Sequence, residues 1–273
     1  MKKIITLIVA YLCLSVSHAQ AQNAPTSQQV TLHVATAGTL PDMIDPSRRP
    51  YITNLKLTGE LNGTDIRLVR EMAGADIYGN PTQGALEHLD LSKAEIVNGG
   101  ETYYIDVDSA FFFLTGTITI NTYYTNKHIY DDGSRRYEDS NTGFDCLLAA
   151  CHKLKSVKLP PRHTWGSVFN NCTGLTSVDI PEGVMDLSRT FWGCTSLTSI
   201  DIPEGVTNLS STFYGCTSLT SVNIPESVTN LSSTFSGCTS LTSIDIPESV
   251  TNLSGTFSGC TSLTSVNISG DQP

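Results

Sequence analysis

The side chains most able to do chemistry recur at a fixed interval. Reading every 22 residues or so gives Lys158, Asp179, Asp201, Asn223, Asp245 and Asn267, with Glu182, Glu204, Glu226 and Glu248 running beside them. Stacked one strand apart, at ~4.8 Å, like charges in such a column would repel. Only Asp179 and Asp201 would be direct acidic neighbours, because Asn223 separates Asp201 from Asp245. Paired-carboxylate catalysis or a calcium cage needs oxygens converging on one point, whereas a straight ladder spreads them out. The column reads first as a solvated acidic face, with Asp179, Asp201 and Asp245 as candidate partner-binding residues on it and no metal site expected.

The cysteines obey the same rule. Cys172, Cys194, Cys216, Cys238 and Cys260 are each 22 residues apart, with Cys151 a further 21 upstream. Parallel side chains one coil apart are poorly placed to form disulfides, which need Cβ atoms at roughly 3.5–4.5 Å that point at each other. Buried free thiols are therefore expected, with only Cys146 and Cys151 outside that argument. The histidines His33, His88, His128, His152 and His163 are scattered. No G-x-S-x-G elbow, phosphate loop or C-x-x-C occurs, and an array repeating the same residues offers no place for a set of unlike catalytic groups. The reading is of a protein that is not an enzyme and uses no cofactor.

The column that does vary follows a phenylalanine: Asn170, Trp192, Tyr214, Ser236, Ser258. Two large aromatics on neighbouring coils are typical interface anchors and equally a cover for the return side near the cap, so Trp192 and Tyr214 are candidates for contacting a partner.

These columns require a stack of coils. Six can be superposed, starting at Leu148, Phe169, Phe191, Phe213, Phe235 and Phe257. In the third, Phe191, Cys194, Leu197, Ile200, Ile202, Val206 and Leu209 are the apolar set. A single coil cannot cover both of its open sides, so only stacking against neighbours makes it stable. Residues 199–202 read as a strand, with Ile200 and Ile202 inward and Ser199 and Asp201 outward. Pro203 ends it because proline has no N–H for a ladder. A second short strand is expected at 206–209.

Upstream, Val30, Leu32 and Val34 alternate as a strand, and Ile52, Leu55 and Leu57 form another. Thr39 is placed to cap a short helix with Pro41 in its first turn. Thr64 is placed to cap a helix over 65–73 whose Ile66, Val69 and Met72 share one face. Leu86, Leu89 and Leu91, followed by Ala94 and Ile96, have the spacing of a leucine-rich strand. Residues 99–145 break the pattern with Phe111, Phe112 and Phe113 beside the alternating 117–123, and an insertion of this kind maps to an edge of a repeat protein.

The repeat F-x-G-C-T-S-L-T-S-[IV]-[DN]-I-P-E-[GS]-V-T-N-L resembles the BspA-like leucine-rich repeat family of bacterial secreted and surface proteins. It is complete over 191–253 and partial over 148–187 and 257–268. Residues 52–74 also look like the cap that precedes such arrays. The resemblance implies a mostly β leucine-rich-repeat solenoid with a parallel sheet on one face and an N-terminal α/β cap. It also implies an adhesion-like role towards proteins, cells or glycans. The period of 22 is shorter than the 23 more usual in that family, and no sorting domain follows the array.

The domain plan is a signal peptide over 1–21, a linker over 22–29, a cap over 30–98 and an insertion over 99–145. A solenoid over 146–268 and a tail over 269–273 complete it. The signal is read from Lys2 and Lys3, an apolar run too short to span a bilayer, and Ala19-Gln20-Ala21. Cys13 follows Tyr11 and Leu12, where a lipid-bearing cysteine would follow a small residue, so a soluble exported product is expected. The full chain carries a net charge of −10. Loss of Lys2 and Lys3 leaves 14 basic and 26 acidic side chains, a net charge of −12, which disfavours nucleic acid and anionic lipid. No membrane insertion is expected after cleavage.

Six strands of about four residues make a face of roughly 400 Å², half of the ~800 Å² that one partner in a standard protein interface contributes. An extended peptide or glycan would fit that face, and a protein partner would need an edge as well. The short tail 269–273 further suggests end-to-end self-association through an open last coil as the alternative to partner binding.

Overall fold

A computed structural model of the chain describes residues 29–97, 99–101, 103 and 146–268. The proposed signal peptide, nearly all of the linker and insertion, and the tail lie outside the described residues.

The chain runs through β1 (Val30–Val34), α1 (Leu40–Met43), a 3-10 turn at Arg49–Tyr51, β2 (Asn54–Leu61), α2 (Gly63–Met72) and β3 (His88–Ile96). The array contributes β4 (Ser156–Lys158), β5 (Ser177–Asp179), β6 (Ser243–Ile246) and β7 (Ser265–Ile268). All strand pairs are parallel: β1 to β5 form one sheet in chain order, and β6 pairs with β7. Cap and array thus share a sheet and a single hydrophobic core. The fold is a mostly β leucine-rich-repeat solenoid with an α/β cap, as expected.

Two helix starts differ from expectation. Thr39 makes no side-chain cap, and its hydroxyl donates to Thr36 O at 2.8 Å. The N–H groups entering α1 are met from across the fold by the buried Asp65, which accepts from Gly38 N (2.5 Å) and Leu40 N (2.9 Å). Thr64 is not the cap of α2 either. Asn62 is, with its Oδ1 accepting from Thr64 N (3.0 Å), while the Asp65 carboxylate reaches back to Asn62 N (2.9 Å). One carboxylate therefore fixes the starts of both helices, and the N–H groups of Gly38, Leu40 and Asn62 offset the cost of burying it. Ile66, Val69 and Met72 do face the core together.

Arg70, on the same helix and fully buried, ties the cap to the first coil by donating to Cys146 O (3.3 Å), Leu147 O (3.4 Å) and Asp76 O (3.2 Å). Between β2 and β3, Lys56 bonds Asp90 at 2.5 Å beside a register shift. Burial would raise the Asp90 pKa, but bonds from Lys56 and Ser92 outweigh it and hold the carboxyl at about 2.

The strand expected at 199–202 is not formed as a ladder. Neither 199–202 nor its successor 221–224 pairs regularly, although Ile200, Ile202 and Ile224 still point inward and are buried. Residue type does not account for this gap, because 199–202 and 243–246 carry the same Ser-Ile-Asp-Ile. The return strand expected at 206–209 is reduced to one parallel bridge per coil: Thr164, Asp186, Asn208, Asn230 and Asn252 pair in succession.

The unbroken ladder lies on the turn side, around each phenylalanine. Leu187, Arg189, Phe191 and Gly193 donate their N–H groups to Asn208 O, Ser210 O, Thr212 O and Tyr214 O at 3.1, 3.0, 3.1 and 2.8 Å. Leu209, Ser211, Phe213 and Gly215 repeat this to Asn230, Ser232, Thr234 and Ser236 at 3.0, 2.8, 3.0 and 2.7 Å. Left-handed residues bracket each phenylalanine. Arg189, Ser211 and Ser233 have φ of 56°, 54° and 54°, and Gly193, Gly215 and Gly237 have 70°, 71° and 76°. Glycine adopts this region without the steric cost that a side chain brings. Beneath the ladder, Phe169, Phe191, Phe213, Phe235 and Phe257 stack with successive centroid distances of 5.5, 5.8, 5.8 and 6.1 Å.

Candidate functional site

Two columns of small polar side chains, threonine and asparagine, were not singled out in the sequence, and with the cysteine column they set the geometry of the turn side. Thr190, Thr212, Thr234 and Thr256 are buried. The last three donate to the carbonyls of Leu187, Leu209 and Leu231 at 2.9, 2.6 and 2.7 Å. The thiols of Cys194, Cys216 and Cys238 donate to the carbonyls of Phe169, Phe191 and Phe213 at 3.2, 3.1 and 3.1 Å. Asn208 and Asn230 pass a side-chain bond from coil to coil, with Asn208 Nδ2 donating to Asp186 Oδ2 and Asn230 Nδ2 to Asn208 Oδ1, both at 3.2 Å. Their Oδ1 atoms also accept from Ser210 N and Ser232 N at 3.0 Å. The available signal was recurrence itself, since asparagine returns every 22 residues in V-T-N-L where an exposed position would be free to vary.

Cys151, Cys172, Cys194, Cys216, Cys238 and Cys260 are free thiols. Burial pushes the Cys151 thiol up to about 11 and Cys238 up to about 12, and holds Cys172, Cys194 and Cys216 well above the ordinary thiol range. These thiols stay protonated at neutral pH and act as small apolar side chains with one weak donor, not as nucleophiles or metal ligands.

On the strand side, the expected acidic column is solvated and partly neutralised. Asp179 Oδ2 lies 3.5 Å from Lys158 Nζ, with both side chains largely exposed. Asp245 accepts from Asn267 Nδ2 at 2.7 Å, and Asp201 is exposed. Among the described residues no group of three or more His, Cys, Asp or Glu side chains is arranged to hold a metal ion.

Trp192 and Tyr214 are brought together on the turn side. Their rings stack with centroids 4.1 Å apart and planes 19° from parallel. Trp192 is half-buried and Tyr214 is 37% exposed. Each directly follows a phenylalanine of the inner stack in the chain, Phe191 and Phe213. The same coils carry further departures: Met185, 51% exposed, occupies a column otherwise of threonine over 207, 229 and 251. Arg189, also exposed, occupies one otherwise of serine or glycine. The five residues singled out in the sequence therefore form two surfaces: Asp179, Asp201 and Asp245 on the strand side, and Trp192 with Tyr214 on the turn side.

Comparison with known proteins places this array. The model of the BspA type leucine rich repeat region matches in six copies, over residues 145–233 and 188–272. A leucine-rich repeat protein of T. pallidum is 31% identical over 45% of this chain and 60% of its own, with a TM-score of 0.43. One from Bacteroides ovatus ATCC 8483 is 30% identical over 45% of this chain and 39% of its own, with a TM-score of 0.36. A leucine rich cell surface protein from Faecalibacterium prausnitzii A2-165 is 23% identical over 81% of this chain and 55% of its own, with a TM-score of 0.34. The chain thus spans well under two thirds of the length of each of these proteins. No curated protein matches it.

Proposed function

With residues 145–272 forming a BspA-type leucine-rich repeat region, we propose that the chain is an exported, non-enzymatic binding protein. It presents its solenoid to a macromolecular partner, protein or glycan, at or beyond the cell surface. The observation that carries this reading is where the repeat is broken. On the turn side, positions that later coils fill with Ser, Thr or Gly hold Met185, Arg189, Trp192 and Tyr214, clustered on adjacent coils. Partner specificity belongs there, and the acidic strand face is an auxiliary surface. Export is supported by the basic start, apolar run and Ala-x-Ala of the first 21 residues, and an array that repeats the same side chains from coil to coil supports binding over turnover.

The test is capture of a cell-surface protein or an immobilised glycan by the chain lacking its first 21 residues. Trp192→Ala and Tyr214→Ala should lower capture while moving the thermal midpoint by no more than about 6 °C, because an aromatic pair of this kind contributes ~0.5–1.5 kcal/mol. Lost stability at unchanged capture would make them packing residues and remove the reading.

A second reading, end-to-end self-association, is favoured by the apolar side chains of the last described coil, where Leu253, Val266 and Ile268 are exposed. A strictly monomeric mass by light scattering at micromolar concentration removes it.

A further inference from the structure

The turn side differs from the rest of the array in charge as well as in residue type. No Asp or Glu occurs over 187–198, 206–220, 228–242 or 250–264, the stretches that carry the phenylalanine turns. Asp201 and Glu204, with their counterparts in later coils, stand instead in the strand segments and in the Pro-Glu turns that follow them. Asp186, which lies between Met185 and Arg189, is engaged: its Oδ1 accepts from Ser188 N at 2.7 Å and its Oδ2 from Asn208 Nδ2 at 3.2 Å. The acidity of the array is thus segregated from this side, and screening over ~8 Å at physiological salt limits how far it reaches.

Arg189 is the cation of this surface. It is exposed, and no Lys or Arg follows it through residue 268. Among the described residues none of the ion pairs includes it. It shares a turn with Trp192, closed by Trp192 N donating to Arg189 O at 3.3 Å, and Trp192 stacks on Tyr214 of the next coil at 4.1 Å. A guanidinium without a carboxylate therefore belongs to the same turn as an aromatic pair, four residues after the exposed Met185.

We propose that this patch docks an acidic segment of a partner protein, with a carboxylate of the segment meeting Arg189 and a neighbouring apolar side chain resting against Trp192 and Tyr214. This rests on the binding reading above and names the partner's chemistry. Trp, Tyr, Met and Arg are the side chains enriched at protein interfaces, and over 185–214 all four stand where later coils have Ser, Thr or Gly. A planar guanidinium pairs a carboxylate through two N–H groups, so the acid is read by geometry as well as by charge. An acidic polysaccharide repeats its charge along the chain and needs a row of cations, whereas this turn offers one. A basic segment would be repelled here.

The experiment is selection of a random-sequence peptide library displayed on phage against the immobilised chain without residues 1–21, followed by fluorescence polarisation with the selected peptides. The peptides should share an Asp or Glu beside Leu, Ile, Phe or Trp, and changing that acid to its amide should weaken binding about tenfold. Arg189→Ser should weaken it to a similar degree and remove most of its salt dependence between about 0.05 and 0.5 M NaCl. Serine already takes a left-handed φ of 54° at the equivalent Ser211 and Ser233, so this variant keeps the turn. Tyr214→Ser, which restores the residue of later coils, should also weaken binding while the salt dependence stays. Chondroitin sulfate, the acidic polysaccharide control, should compete poorly. Failure to select any peptide, peptides without a shared acid, binding undiminished in Arg189→Ser, or equal competition by chondroitin sulfate overturns the inference. If the chain captures a surface protein or an immobilised glycan through Trp192 and Tyr214 and Arg189→Ser captures it equally well, the binding reading stands and the acidic-segment assignment falls.

Discussion

The two long sides of the coil divide the work differently. The strand side has the pattern usually associated with a solenoid, alternating isoleucines ended by proline. Yet its ladder stops after β5 and resumes only between β6 and β7. The turn side has no alternation at all, and its hydrogen bonds run unbroken through the array. Three ordered columns reinforce that ladder: stacked phenylalanines, thiols on carbonyls and threonine hydroxyls on carbonyls. The comparison teaches that apolar burial and backbone pairing need not reside in the same segment. Ile200 and Ile202 bury their side chains without closing a sheet, while Phe191 does both.

The contrast can be tested by selective damage, beginning with the thiols. Their folded pKa values lie above that of an exposed thiol, so the stability they confer is complete below about pH 9 and is lost as pH rises towards 11 and 12. Each deeply buried thiol contributes a slope of roughly 1.4 kcal/mol per pH unit in that window. Since five act together, the array should unfold cooperatively there, as followed by circular dichroism against pH. A protein unchanged at pH 11 would show that the column is wetter than described. Next in size, Phe213→Ala should cost ~3–5 kcal/mol, the usual loss for a large core aromatic, because it opens the inner stack on two sides. Asn230→Ala interrupts the asparagine ladder and leaves Ser232 N without its acceptor, a loss of ~1–2 kcal/mol in urea denaturation. At the small end, Ser221→Ala on the strand side should stay within about 0.5 kcal/mol. A cost at Ser221 equal to that at Asn230 would erase the distinction between the two sides.

Much of this organisation was legible in the residues. The spacing of 22 predicted the columns, the buried free thiols and the solenoid, and the alternation of Val30, Leu32 and Val34 marked β1. What stayed hidden was polar and non-local. Thr39 and Thr64 have the right type and place for caps, but the Asp65 carboxylate accepts from two N–H groups 27 and 25 residues away, which no local pattern reveals. The asparagine ladder was invisible for a related reason: a polar residue reads as solvent-facing until its neighbours in adjacent coils are known. Trp192 and Tyr214 were identified as neighbours because repetition converts a spacing of 22 into proximity. That their rings stack needed the structure.

Amide hydrogen exchange resolved by residue tests the central claim most directly. The N–H groups of Phe191, Gly193, Phe213 and Gly215 should exchange only on global unfolding, and those of 200–202 and 222–224 orders of magnitude faster. Strand-side amides protected as well as, or better than, those around the phenylalanines would contradict the account and restore the sheet as the spine of the array.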